Sequence, residues 1–189
     1  MQANPFPVRL PECVTRMTDE RTPPRDRDPD ADESSELTGL LSFWETVVED
    51  AEATAAEYEA EGWETLVVHP GDVTVLPPAN LPEATERVGF DVLVPGGEFD
   101  ALSSWVESAE FGRYDVYRAR EGDTVFVVSV VQDAASSKAV VVPLYYGLDE
   151  VAAMATTARE QGELRLYVRP VDADRRVELV QSEPDPLFP

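Results

Sequence analysis

The stretch GFDVLVPGGEFDALSSWVESAEFGRYDVYRAREGDTVFVVSVV, residues 89–131, decides how the rest of the chain is read. FDVLVP is rich in β-branched and aromatic residues and reads as a strand ended by Pro95. Gly96 and Gly97 turn the chain. From about Glu98, Phe99, Leu102, Trp105 and Val106 recur at steps of three and four, the apolar face of a helix. YDVYRAR and TVFVVSVV are strands again, and the EGD between them is a short glycine-containing hairpin connection. The order is strand, helix, strand, strand.

The chain downstream has the same order. AASSK leads into AVVVPLYY, where Pro143 lacks an N–H and marks an edge or a bulge. A helix is expected to open with Asp149 as N-cap and Leu148 as a hydrophobic staple. It presents Val151, Met154, Ala155 and Ala158 and stops before Gly162. ELRLYVRPV and RRVELVQ then form two strands. The match suggests a duplication, although two segments can reach so common a unit independently.

Upstream, Leu40, Trp44, Val47, Ala51, Ala55 and Tyr58 share one helix face, and Gly62 suits a left-handed stop. In WETLVVHPGDVTVL, two strand-like runs flank Pro70-Gly71, which suits a type II turn with His69 at its first position and Asp72 at its fourth. The expected fold class is α+β, a largely antiparallel sheet with helices packed on one face. Residues 37–183 form the single domain. Residues 1–36, acidic and proline-rich, hold too little apolar surface to offset their ordering entropy and read as a disordered tail. Met17 offers an alternative start within it, and residues 184–189 read as a Pro-rich C-terminal tail.

Charge dominates the composition: 38 acids against 15 bases give −23, and Lys138 is the only lysine. Such a surface suits multimolar salt, where the Debye length falls to about 3 Å and self-repulsion is screened. The expected host is a halophilic archaeon. Cys13 is the only cysteine, so no disulfide is available and a reducing compartment fits. No apolar run is long enough to span a membrane, and the N-terminus has no apolar signal core. The expected location is the cytoplasm, with no membrane partner.

FWETVVEDAEATAAEYEAEGWETLVVHPGDV, GFDVLVP and LRLYVRPV together resemble a family of uncharacterised conserved haloarchaeal proteins, over roughly residues 40–183. The resemblance implies a halophilic cytoplasmic host. It brings no established activity, cofactor or site.

No phosphate-binding loop, dinucleotide fingerprint, zinc signature or nucleophile elbow occurs. No catalytic residue, metal or cofactor is therefore assigned. His69, the only histidine, has no second histidine for a zinc site and no nucleophile at a recognisable spacing, so turn or capping chemistry is its expected role. Glu45, Glu49 and Glu52 stack along a helix, as they do by chance in so acidic a chain. Ser136 and Lys138 read as a polar hairpin tip, and Gly96-Gly97 as a simple turn.

One asymmetry remains. Residues 1–110 carry 25 acids and 6 bases, residues 111–180 carry 11 and 9, and five of six tyrosines lie in the second part. In ELRLYVRPV, Leu164, Leu166 and Val168 share one strand face, and Arg165, Tyr167 and Arg169 the other. Arg118, Arg120 and Tyr145 are expected nearby. Arginine beside tyrosine can hold an anion bidentately or stack on a planar ring; the same arginines can equally pair with carboxylates of the chain itself. The expected function is a non-enzymatic interaction or small-ligand-binding domain for an anionic small ligand or a protein partner. Multimolar salt suppresses purely electrostatic capture of nucleic acid. The alternatives are an enzyme of unrecognised type using His69 with Asp72 or another nearby carboxylate, and an acidic DNA mimic.

Overall fold

The structure is a computed structural model and describes residues 29–77, 85–172 and 174–189, with side chains from residue 39. The chain divides into two compact units, residues 1–43 and 44–189. The described part of the first is the opening stretch of helix α1 (Pro29–Ala60); all that follows concerns the second.

That unit is α+β. Its strands are β1 (Glu64–Val67), β2 (Asp72–Leu76), β3 (Gly89–Leu93), β4 (Arg113–Glu121), β5 (Thr124–Asp133), β6 (Lys138–Gly147), β7 (Glu163–Arg169) and β8 (Val177–Ser182). Helix α2 (Gly96–Val106) follows β3, and α3 (Leu148–Gln161) follows β6. The strands divide between two four-stranded sheets, ordered β1-β6-β5-β4 and β2-β3-β7-β8. The pairs β1–β6 and β3–β7 are parallel and the other four antiparallel.

Glycine ends the helices where the sequence places it. Gly62 sits at φ +93°, with Trp63 N–H donating to Tyr58 O at 3.0 Å and Gly62 N–H to Glu59 O at 3.0 Å. This double closure is the usual hydrogen-bonded end of a helix that stops at a left-handed glycine. Gly162 closes α3 at φ +73°. The start of α3 differs from expectation: Gly147 is the N-cap, without a side-chain cap bond. Asp149 lies inside the first turn, where a carboxylate still complements the helix dipole.

The Pro70-Gly71 turn is also corrected. Gly71 does not adopt the positive φ that a type II turn requires, and its N–H donates to Leu93 O at 2.8 Å. β1 joins one sheet and β2 the other, so this segment is a crossover. β1 pairs with β6, far along the chain, and β2 with β3, the next strand.

The two strand-helix-strand-strand units interlock. The earlier one sends β3 to the second sheet and its hairpin β4–β5 to the first; the later one sends β6 to the first and β7–β8 to the second. Their neighbours are not equivalent: β6 lies antiparallel to β5, whereas β3 lies parallel to β7. Pro143 also follows its expectation. Val141 O accepts from Val68 N–H at 3.0 Å, so two residues on, Pro143 turns its missing N–H to the same edge, beyond the end of β1.

One apolar core lies between the sheets, with Val127 and Val131 of β5, Val140, Val142 and Leu144 of β6, and Phe90, Leu164, Leu166 and Val168 opposite. Phe90 and Tyr146 stack across it, centroids 5.6 Å apart, and buried Gln181 donates to Ser129 Oγ at 2.6 Å. On the other face of the first sheet lies the stretch of α1 from Trp44 onward. Trp44 packs edge-on against Tyr145, and Tyr58 donates to Asp115 Oδ2 at 2.8 Å while accepting from Gln132 Nε2. Burial, then the Asp115 carboxylate, pushes the Tyr58 hydroxyl well above its ordinary range and keeps it a donor.

Within the last six residues, read from sequence as a Pro-rich tail, Leu187 and Phe188 belong to the core. A 3₁₀ turn at Asp185–Leu187 brings Leu187 and Phe188 to 0% and 3% exposure. Tyr146 donates to Leu187 O at 2.6 Å, and burial pushes its hydroxyl up to about 12.

Candidate functional site

The outer face of the β2-β3-β7-β8 sheet follows from strict alternation. In β7, Leu164, Leu166 and Val168 are fully buried in the core, so Arg165, Tyr167 and Arg169 turn outward. The same alternation brings out Asp91 beside Tyr167, and Glu178 on its other flank.

Asp91 organises half of this face. Its side chain is 10% exposed, accepts a short hydrogen bond from Arg169 Nε, and lies 3.4 Å from Arg87 Nη1. The Arg87 guanidinium stacks over the Tyr167 ring at 5.3 Å. A nearly buried carboxylate between two guanidiniums is a paired group whose loss would strand its partners. Arg169 is therefore committed to the fold, as is the ring face of Tyr167.

Arg165 is placed differently. Its Nη2 donates to Glu163 Oε1 at 2.6 Å, and its Nε lies 4.0 Å from Glu178 Oε2. That Nε is shielded from solvent and has no hydrogen-bond partner, and a buried donor left unpaired costs about 1–3 kcal/mol. Arg165 also lines a cleft of ≈ 260 Å³, together with Glu86, Val88, Gln161, Glu163 and Tyr167. Gly89 lets β3 and β7 close under it: at φ +144°, an added Cβ would lie 1.9 Å from Arg165 O.

The other sequence candidates lie elsewhere. Arg118 and Arg120 are on β4, in the other sheet; Arg118 is exposed, and Arg120 donates to Gly122 O at 2.7 Å and pairs with Asp123 at the hairpin tip. Tyr145, on β6, packs on Trp44. Burial, and Asp72 nearby, raises its hydroxyl above the ordinary range. Asp72 itself accepts from Thr74 Oγ1 at 2.9 Å.

His69 is held between helices. Its backbone N–H donates to Glu98 Oε2 at 2.7 Å and its Nδ1 contacts Glu98 Oε1 at 2.9 Å, while Nε2 lies 3.4 Å from Glu52. The two carboxylates approach opposite sides of the ring and do not converge on one point. Among the described residues no group of three or more His, Cys, Asp or Glu side chains is placed to hold a metal ion. Ser136 donates to Asp133 at 2.6 Å and Lys138 stacks over Trp105 at 5.1 Å, so they form no nucleophile–base pair. Ser136, then the Ala135 amide, holds Asp133 below the usual carboxylate range.

Sequence reasoning missed Asp91, Arg87 and the cleft residues Glu86, Gln161 and Glu163. Asp91 had a signal, a carboxylate at mid-strand that must find a cation if buried. Arg87 and Glu86 had none, coming from the connection between β2 and β3. No helix among the described residues is long and apolar enough to cross a membrane.

A model of a family of unknown function (DUF7529) matches residues 31–189, and the chain belongs to that family. No curated protein and no solved structure matches it.

Proposed function

We propose that this member of a family of unknown function is a non-enzymatic, small-ligand-binding domain whose contact site is the cleft beside Arg165. The observation that carries the reading is a half-exposed guanidinium that lines a ≈ 260 Å³ cleft and is held there by half-exposed carboxylates. Arg169, the other outward arginine of β7, is spoken for by Asp91. Arg165 pairs only with half-exposed carboxylates, exchangeable partners worth under about 1 kcal/mol each.

The test is a thermal-shift screen in about 2 M KCl, the strongly screened regime, against nucleotides, acidic metabolites and amino acids. Arg165→Gln is expected to keep its own melting point within about 2 °C of wild type and to abolish the shift of any stabilising ligand. A shift that survives in Arg165→Gln moves the site elsewhere. No shift from any compound turns the reading toward a protein partner.

We also propose the salt-rich cytoplasm of a halophilic archaeon as its setting, supported by the net charge of −23 and the single lysine. The urea midpoint is expected to rise steeply between 0.2 and 2 M KCl, about 7 Å to 2 Å in Debye length. A flat profile would count against that setting.

A further inference from the structure

We infer that the Arg165 cleft takes a small zwitterion, a molecule carrying one carboxylate and one ammonium on a short frame. The inference rests on the proposed reading of this cleft as the binding site and names its ligand class.

The argument begins with charge. The walls hold two carboxylates, Glu86 and Glu163, and one guanidinium, Arg165, with the Gln161 amide and the Val88 and Tyr167 side chains between them. A simple anion would find Arg165 but would face Glu86, Glu163 and, behind the guanidinium, Glu178 at 4.0 Å from Nε. A simple cation would find the carboxylates but meet Arg165. A zwitterion answers both signs. Its carboxylate takes the guanidinium edge that Nη2 frees on leaving Glu163, a planar fork that suits a bidentate acceptor. Glu163, released from its 2.6 Å bond to Arg165 Nη2, then takes the ammonium together with Glu86.

One internal ion pair is thus exchanged for three ion pairs to the ligand, with no net change of charge in the cleft. The exchange relies on contact geometry, so it withstands salt that screens longer-range attraction. Gln161 is the last residue of α3, so the negative end of that helix dipole adds to the attraction for the ammonium. The volume is below the usual ligand-pocket range of about 300–1,000 Å³. That favours a metabolite of amino-acid size over a nucleotide.

The experiment uses the full chain in about 2 M KCl and three probes on one carbon frame: 4-aminobutanoate, butanoate and butylammonium, followed by titration calorimetry and by amide chemical shifts. L-Alanine and L-leucine extend the zwitterion set. A zwitterion is expected to bind saturably and at least about tenfold more tightly than its matched acid or amine, a difference of about 1.4 kcal/mol. Arg165→Gln should abolish binding, and Arg165→Lys should weaken it with folding kept. Glu86→Gln, at an exposed position, should narrow the gap between zwitterion and butanoate.

If butanoate binds wild type as tightly as the zwitterions and Arg165→Gln abolishes both, the zwitterion class is wrong and the cleft stands. If a zwitterion binds Arg165→Gln unchanged, the cleft reading itself is overturned. If no zwitterion binds wild type, the inference is overturned, and the anions of the wider screen decide the cleft.

Discussion

Deleting residues 184–189 is expected to leave a domain that is largely unfolded in dilute buffer and barely stable in high salt. Leu187 and Phe188 are 0% and 3% exposed and belong to the same apolar cluster as both sheets. Truncating a buried leucine costs about 2–5 kcal/mol and a buried phenylalanine about 3–5 kcal/mol. Their joint loss therefore approaches the whole stability of a typical domain, about 5–15 kcal/mol. The deletion also removes the carbonyl to which Tyr146 donates, leaving a buried hydroxyl without its acceptor, a further cost of about 1–3 kcal/mol. Arg159, itself half-exposed, would lose its 2.8 Å pair with Asp185 and its stacking on Phe188, each worth about 1 kcal/mol or less. Urea unfolding of the deletion and of Asp185→Ala separates these terms: the first should collapse, while the second moves by under about 1 kcal/mol. An unchanged midpoint in the deletion would mean that the segment is dispensable.

Gly89→Ala should be nearly as damaging, for a different reason. The new Cβ would lie 1.9 Å from Arg165 O, 2.8 Å from Arg165 C and 3.0 Å from Arg165 N. All three are backbone atoms of the adjoining strand, so no side chain can swing aside. The residue also sits at φ +144°, open to glycine and closed to alanine. Backbone strain of about 1–3 kcal/mol and overpacking of about 1–3 kcal/mol add where both act at one place. The parallel β3–β7 pairing carries that cost, and the cleft moves with it because Arg165 is the residue displaced. The expected result is a loss of roughly 3 kcal/mol or more on these terms, read from the unfolding midpoint, with exchange protection lost first in β3 and β7. Gly97→Ala is the control, since an added Cβ there meets nothing within 4 Å. Equal effects at the two positions would show that the close approach of β3 and β7 is not what matters.

Much of the fold was legible because it is written locally. The β4–β5 hairpin, the faces of α2 and α3, and the helix stops at Gly62 and Gly162 each depend on a period or a glycine within a few residues of the event. The outward row Arg165, Tyr167, Arg169 was legible for the same reason, since strand alternation requires no partner to be known. The expected Asp149 cap of α3 failed on a local detail: the backbone enters the helix two residues early, with Gly147 as the N-cap.

What the sequence by itself determined, then, was the identity of most elements and, in β7, which side of the strand faces inward. Tertiary structure decided the partition into two sheets, because β1 and β2 are separated by a few residues yet pair with β6 and β3. It decided that Arg169 is occupied, through an aspartate 78 positions away, and that Arg165 is exchangeable. It also drew the last residues into the core, through a tyrosine 41 positions earlier. Such pairings leave no period in the chain: each is a choice among many carboxylates or apolar residues of equal local merit, settled only when distant strands bring one of them within bonding distance.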